Sequence, residues 1–285
     1  MKLEQNLSIE HKEKVCCLLK NLNNKLSEFS FANLYLFRKL HQYKYIEENN
    51  YAGIVGITHD KKSFFIPLSN ACFNDENFLA DMIKRYGMIY PVSQEQLAFF
   101  DKEKFNVTNN ENDSDYVYAV EKFATYAGRH LHKKRNLLKQ FHELYIARYE
   151  KITEENCNLA KNVLDQWMVQ TNQEGKTDYD ELCEALKMID ELSLEGLLFF
   201  VQDVPIGFVL GEQIEGNVFV FHFAKALTFY KGVYQYMFNE YAKTLVGRAH
   251  YINLEQDLGL EPLRHSKKSY MPDHMEEKFR VTLFN

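Results

Sequence analysis

The residues best equipped for chemistry crowd into one stretch, His222 to Tyr270. The apolar run Val218-Phe219-Val220-Phe221 leads into His222, and Lys225, Tyr230, Lys231 and Gly232 follow. The stretch closes on Asn253-Leu254-Glu255-Gln256-Asp257-Leu258-Gly259 and then Arg264-His265-Ser266-Lys267-Lys268-Ser269-Tyr270. Acyl transfer needs a base to free the acceptor, a donor to stabilise an oxyanion and groups that hold the acyl carrier. Glu255 or Asp257 is a candidate base, His222 a candidate acid or base and Tyr270 a candidate acid. Lys225, Arg264 and Lys267 are candidate cations for an anion, and Lys231, Gly232, Asn253 and Arg135 are further candidate ligand-binding residues. Each has a structural alternative. His222 sits in an aromatic strand and could be a hydrogen-bonded core residue. The acids could pair with Arg264 and Lys267 to pin a loop, and Tyr270 could simply pack at a turn.

Positioning such a site takes regular elements on both sides of it. The first half predicts helices over 8–27 and 31–41, then strands Tyr43–Glu48, Ala52–Thr58 and Ser63–Pro67. A helix Phe78–Tyr86, a strand Ile89–Val92, a helix capped by Ser93 and running through Phe100, and strands Phe105–Thr108 and Tyr116–Ala119 follow. A basic run, Gly128-Arg129-His130-Leu131-His132-Lys133-Lys134-Arg135-Asn136, marks the expected junction of two lobes, 1–128 and 129–285. It reads either as a solvated helix start or as a phosphate-facing patch. Beyond it come a strand Leu144–Ile152, a helix from Thr153 to Trp167, and a helix Asp178–Leu192. Strands Leu197–Gln202, Ile206–Glu212 and Val218–Ala224 precede a helix Gly232–Leu245. A strand His250–Asn253, a short helix Glu261–Ser266 and a closing strand Lys278–Phe284 end the chain.

The second half thus runs β-α-α-β-β-β-α-β-α-β. That order resembles the GCN5-related N-acetyltransferase (GNAT) fold, in which the fourth and fifth strands splay and leave a wedge for ligands. The first half reads as a degraded copy. The fold class expected is α/β (α+β): two tandem acyl-CoA N-acyltransferase-like lobes with mixed central sheets, the second carrying the pocket. Several strings are also similar to one bacterial family: Ser30-Phe31-Ala32-Asn33-Leu34-Tyr35, Lys134-Arg135-Asn136 with Phe141, Gly207-Phe208-Val209-Leu210-Gly211-Glu212, and His222-Phe223-Ala224-Lys225-Ala226. Lys231-Gly232-Val233-Tyr234-Gln235 continues the likeness, and the Asn253–Gly259 and Leu263–Tyr270 strings are its most specific part. Together they resemble the family of the phosphatidylglycerol lysyltransferase C-terminal domain. The resemblance implies a bacterial cytoplasmic acyl- or aminoacyltransferase, with aminoacyl-tRNA as the acyl donor. It transfers no catalytic residue, because no match to the lysyltransferase acyl-transfer residues is found.

Composition bounds the remaining classes. The formal net charge of −6 weighs against extended nucleic-acid binding but leaves room for a local basic patch. Five cysteines with no C-x-x-C spacing fit reduced cytoplasmic thiols. No run of about 18 apolar residues predicts a membrane span, and no metal site is expected. Acyl-coenzyme A is the alternative donor. Its pyrophosphate needs a small-residue loop at a helix start, whereas Phe229-Tyr230-Lys231-Gly232-Val233-Tyr234 keeps a single glycine and places bulky Tyr234 in the way. Lys231 there suits another phosphate, such as that of a tRNA end. The competing function is a catalytically silent GNAT-fold binding or regulatory protein.

Overall fold

The structure is a computed structural model that describes residues 3–171 and 177–284. The chain separates into two compact units. The first comprises Met1–Asp115, Gln256–Glu261 and Met275–Asn285, and the second Tyr116–Glu255 and Pro262–His274. The chain therefore changes unit between Asp115 and Tyr116, ahead of the junction expected at residue 128, and two later segments return to the first unit.

The first stretch of chain holds β1 (Leu3–Asn6), α1 (Lys12–Lys20), α2 (Phe31–Leu36), β2 (Lys44–Glu48), β3 (Tyr51–Ile57) and β4 (Ser63–Pro67). It continues with α3 (Asn70–Phe73), α4 (Glu76–Tyr86), β5 (Ile89–Val92) and β6 (Phe105–Asn109). The predicted helix over 8–27 is shorter than expected. Asn23 takes a left-handed backbone conformation (φ 47°) that ends helical pairing, although Leu22, Leu26 and Phe29 stay buried. The Ser93 cap exists, with Ser93 N–H donating to Gln96 Oε1 and Gln96 N–H to Ser93 Oγ, but it starts only a 3-10 turn, Gln96–Phe99.

The rest of the chain supplies β7 (Asp115–Ala119), α5 (Val120–Thr125), α6 (His132–Leu144), β8 (Ala147–Lys151), α7 (Cys157–Thr171) and α8 (Tyr179–Lys187). Then come β9 (Glu195–Val201), β10 (Val204–Ile214), β11 (Val218–Ala226), α9 (Val233–Leu245), β12 (Tyr251–Asn253), α10 (Glu261–Lys268), β13 (His274–Glu276) and β14 (Phe279–Leu283). The strands build two seven-stranded sheets, ordered β1-β2-β3-β4-β5-β14-β6 and β13-β7-β12-β11-β10-β9-β8. In the second, β8 to β11 are antiparallel, and β12 then lies parallel to β11 after the crossover helix α9. The first repeats the device, with β5 parallel to β4 after α4. The fold is of the expected α/β class, with two mixed sheets. The closing strand is one correction to the expected layout. β14 pairs antiparallel with β5 and β6 in the first sheet, while β7 pairs with β12 in the second.

Apolar patterning along the strands explains the cores. Strands covered on both faces read as continuous apolar runs, as in Leu197–Phe200 and Val218–Phe221, all buried. The first unit packs Phe64, Phe65 and Ile66 of β4 beside Leu79 and Met82 of α4, all nearly inaccessible. No helix among the described residues is long and apolar enough to cross a membrane.

Candidate functional site

His222 owes its position to an irregularity in β11. Leu210 pairs with Phe223 and the next residue, Gly211, pairs with Phe221, so His222 is an extra residue bulged out of the ladder. Bulges re-aim side chains and are frequent next to active sites. Gly211 makes this bulge sterically feasible, because a Cβ there would lie 1.9 Å from the Val220 carbonyl oxygen. The bulged imidazole donates from Nε2 to Glu212 Oε1 at 2.9 Å and from Nδ1 to Glu255 Oε1 at 2.8 Å. Its side chain has no exposed surface, while the two carboxylates reach solvent at 15% and 17%. Burial opposes the charge, but the hydrogen bonds and negative charges of Glu212 and Glu255 outweigh it and raise His222 to about 10. The group is thus an imidazolium held between two carboxylates rather than a neutral acid–base shuttle.

Glu255 is fixed from its backbone as well. β11 and β12 pair only from Val218–Tyr251 to Val220–Asn253, and β11 then runs on to Ala226. Where the pairing stops, buried Asn253 turns the chain, accepting at Oδ1 from the Glu255 N–H at 2.6 Å. Glu255 takes a left-handed conformation (φ 59°), and its carbonyl accepts from Tyr116 N–H and Lys267 Nζ, both at 3.2 Å. A non-glycine residue in that region is a strained position of the kind found at functional sites. Within the second unit the structure thus brings together His222, Asn253, Glu255 and Lys267, all four of them candidates on sequence grounds. Arg264 lies half-buried on the same helix as Lys267.

The remaining candidates lie apart from that cluster. Lys225 is tied to Asp178 (Nζ–Oδ1 2.7 Å) and stacks over the Trp167 ring at 4.3 Å, with only 12% of its side chain exposed. Half-buried Tyr234 is pushed up to about 12 by the packing around its hydroxyl, which hydrogen-bonds to the Ala226 backbone and the Trp167 indole. Tyr270 is buried among Phe123, Tyr126 and Phe238, with its hydroxyl accepting from Gln235 Nε2 at 2.8 Å. Burial raises the hydroxyl above the ordinary tyrosine range. Arg135 clamps the Tyr126 and Gly128 carbonyls at the left-handed end of α5. Asp257 is buried in the first unit, where its Oδ1 accepts from Gly259 N–H at 2.8 Å.

The start of α9 tests the fit of acyl-coenzyme A. Lys231 is exposed there, and Gly232 caps the helix at φ 85°. The open side of Gly232 faces protein: a Cβ would lie 2.4 Å from the Leu137 carbonyl oxygen and 3.2 Å from Phe141. In this chain the glycine admits α6 rather than a phosphate, and a carbonyl oxygen at that spot repels an anion. The residues present do not fit a coenzyme A pyrophosphate.

Sequence reading misses Glu212 and Asp178, which pair with His222 and Lys225, and Trp167, whose ring lies under Lys225. Glu212 alone carries a signal, lying one hairpin away beside Gly211. A cavity of about 480 Å³ lined by Asp165, Val169, Gln170, Leu227 and Phe229 opens between α7 and the loop after β11, but none of the candidate residues lines it. Among the described residues no group of three His, Cys, Asp or Glu side chains is placed to hold a metal ion, and the five cysteines are unbridged.

With this geometry in place, comparison with known proteins identifies relatives across nearly the whole chain. The family model described as phosphatidylglycerol lysyltransferase, C-terminal, matches residues 19–282. An uncharacterized protein of Mycoplasmoides gallisepticum is 25% identical over 242 residues, 78% of this chain and 75% of its own length. A crystal structure of a conserved protein of unknown function from Bacteroides thetaiotaomicron superposes with a TM-score of 0.86 at 24% identity, covering 100% of both chains. L-PGS from Bacillus licheniformis superposes at 0.64 with 14% identity, over 95% of this chain and 91% of that one.

Proposed function

The chain belongs to the phosphatidylglycerol lysyltransferase C-terminal family, and from that premise we propose that it is an aminoacyltransferase. In this reading the donor is a cytoplasmic aminoacyl-tRNA, and the acceptor presents a hydroxyl or an amine. The observation that carries the proposal is the Glu212–His222–Glu255 group at the point where β11 and β12 cease to pair. The imidazolium orients the Glu255 carboxylate, so that Glu255 takes the acceptor's proton as the acyl carbon is attacked. Lys267 and Arg264 on α10 supply positive charge toward the oxyanion or the carrier's terminal phosphate. Lys231 at the exposed start of α9 offers a further phosphate contact. The crowding of Gly232 by α6 supports an acyl carrier other than coenzyme A.

The test is consumption of tRNA charged with labelled amino acids, with lipid, cell-wall precursor and small-amine acceptors offered in separate arms. Transfer above spontaneous deacylation is expected, falling by at least about 100-fold in Glu255→Gln with folding intact. Consumption at the spontaneous rate in every arm would refute the proposal. A second reading, a GNAT-fold binding protein without catalysis, is favoured by the Lys225–Asp178 pair and by the burial of His222. It predicts binding of charged tRNA or an acceptor without turnover in the same assay.

A further inference from the structure

Away from the His222 group, α6 and the end of α10 bring an amine against a hydroxyl. Lys134 Nζ lies 2.7 Å from Ser269 Oγ and 3.7 Å from the centroid of the Tyr270 ring. Both residues are half-buried. Among the described residues Lys134 pairs with no carboxylate, which sets it apart from Lys225 and Lys278 in the same chain. The local sequence explains the geometry. Arg135 anchors the first turn of α6 to the Tyr126 and Gly128 carbonyls. Tyr270 is locked by Gln235 and three aromatic neighbours. The turn after α10, closed by Ser269 N–H to the His265 carbonyl, then aims Ser269 at Lys134.

We propose that Ser269 and Lys134 form a nucleophile–base pair that is acylated on Ser269 Oγ by activated esters. Amine bases activate serine in this way on unrelated folds. Ser269 now donates to the Ser266 carbonyl at 2.5 Å, so rotation of one hydroxyl turns its proton toward Nζ. In the step, Oγ bonds to the ester carbonyl carbon while its proton passes to the neutral Lys134 amine. The tetrahedral adduct then breaks the bond to the leaving alcohol, and the ammonium returns the proton to that alcohol. The serine ester is discharged by the reverse sequence, with water or an acceptor hydroxyl or amine as the incoming group. Burial without a carboxylate lowers Lys134 to about 8, which leaves a usable fraction of free amine near neutral pH. The inference deepens the acyl-transfer reading and rests on it only for the identity of the natural donor.

The experiment needs no tRNA. The full chain is treated with p-nitrophenyl acetate, quenched, and mapped by mass spectrometry for the acetyl group, while p-nitrophenolate release is followed across pH. Expected are a single acetyl on Ser269, a burst that rises through pH 8, loss of labelling in Ser269→Ala and retained labelling in Ser269→Cys. Lys134→Arg keeps the charge but accepts no proton, and is expected to slow labelling about 100-fold. Thermal melts are run on each variant. Acetylation of folded Ser269→Ala at the parent rate, or acetyl found on Lys134 instead of Ser269, overturns the proposal. Failure here leaves the charged-tRNA assay unaffected, and failure there leaves this labelling unaffected.

Discussion

A buried imidazole with a carboxylate on each ring nitrogen commits both nitrogens to donation, and that has measurable consequences at His222. Removing one member of a buried charged group leaves the others without compensation, at a cost of about 3–5 kcal/mol. His222→Gln is expected to lose that much stability in urea unfolding at pH 7. The pH sign follows from the raised position of His222, near 10 in the folded protein. Its contribution is complete below the ordinary imidazole range near 6.5 and is lost as pH rises through about 10. The parent should therefore lose stability between pH 7 and 10, and His222→Gln should show a flatter profile over that window. A second buried group titrates elsewhere. Lys278 Nζ, with no exposed side-chain surface, contacts Glu28 at 2.7 Å and Asp115 at 2.6 Å. Burial raises Glu28 to about 7, with Asp115 adding to the rise and Lys278 opposing it. Its contribution is full below 4.5 and fades as pH climbs through about 7. Glu28→Gln should remove that slope from unfolding measured between pH 4.5 and 7.

Two elements control whether the candidate site exists at all. The bulge in β11 depends on Gly211, where any side chain would meet the Val220 carbonyl. Gly211→Ala is expected to shift His222 out of its carboxylate pair, read as a move of its imidazole NMR signal toward ordinary titration and as a drop in melting temperature. Gly232→Ala combines a left-handed backbone with a 2.4 Å approach to Leu137, and should destabilise by more than the roughly 1 kcal/mol that an unstrained glycine-to-alanine change can add to stability. Much of this layer was legible in the sequence. Period and turn residues place β9, β10, β11, α9 and β12 within a few residues of their observed bounds, because local pattern sets local structure. Residue type, not period, is what singles out His222, Glu255 and Asn253 as candidates. The sequence did not disclose the bulge, which is a matter of register between two strands. Nor did it disclose Glu28, which meets Lys278 across 250 residues and carries no local signal.

At the scale of the whole molecule, the order of strands in space departs from their order in the chain. β14 lies between β5 and β6, so the first sheet is completed only by residues 279–283. A fragment ending at residue 128 lacks β14, and one starting at residue 129 lacks β7 of the second sheet. Each fragment expressed alone is expected to be insoluble or to lose amide protection in hydrogen exchange, whereas mixing both during refolding should restore protection. Alternating pattern marked β14 as a strand, but no residue in it says which sheet it joins. That choice is made by partners such as Asp113, which accepts from Arg280 Nε at 2.7 Å. The same placement reaches into the cell. Between β6 and β14 the ribosome must add about 170 residues, roughly 10–35 s of synthesis at ordinary rates. Throughout that interval β5 and β6 have no strand between them, and their unmet backbone edges are open to chaperones, or to the same edges on a neighbouring nascent chain.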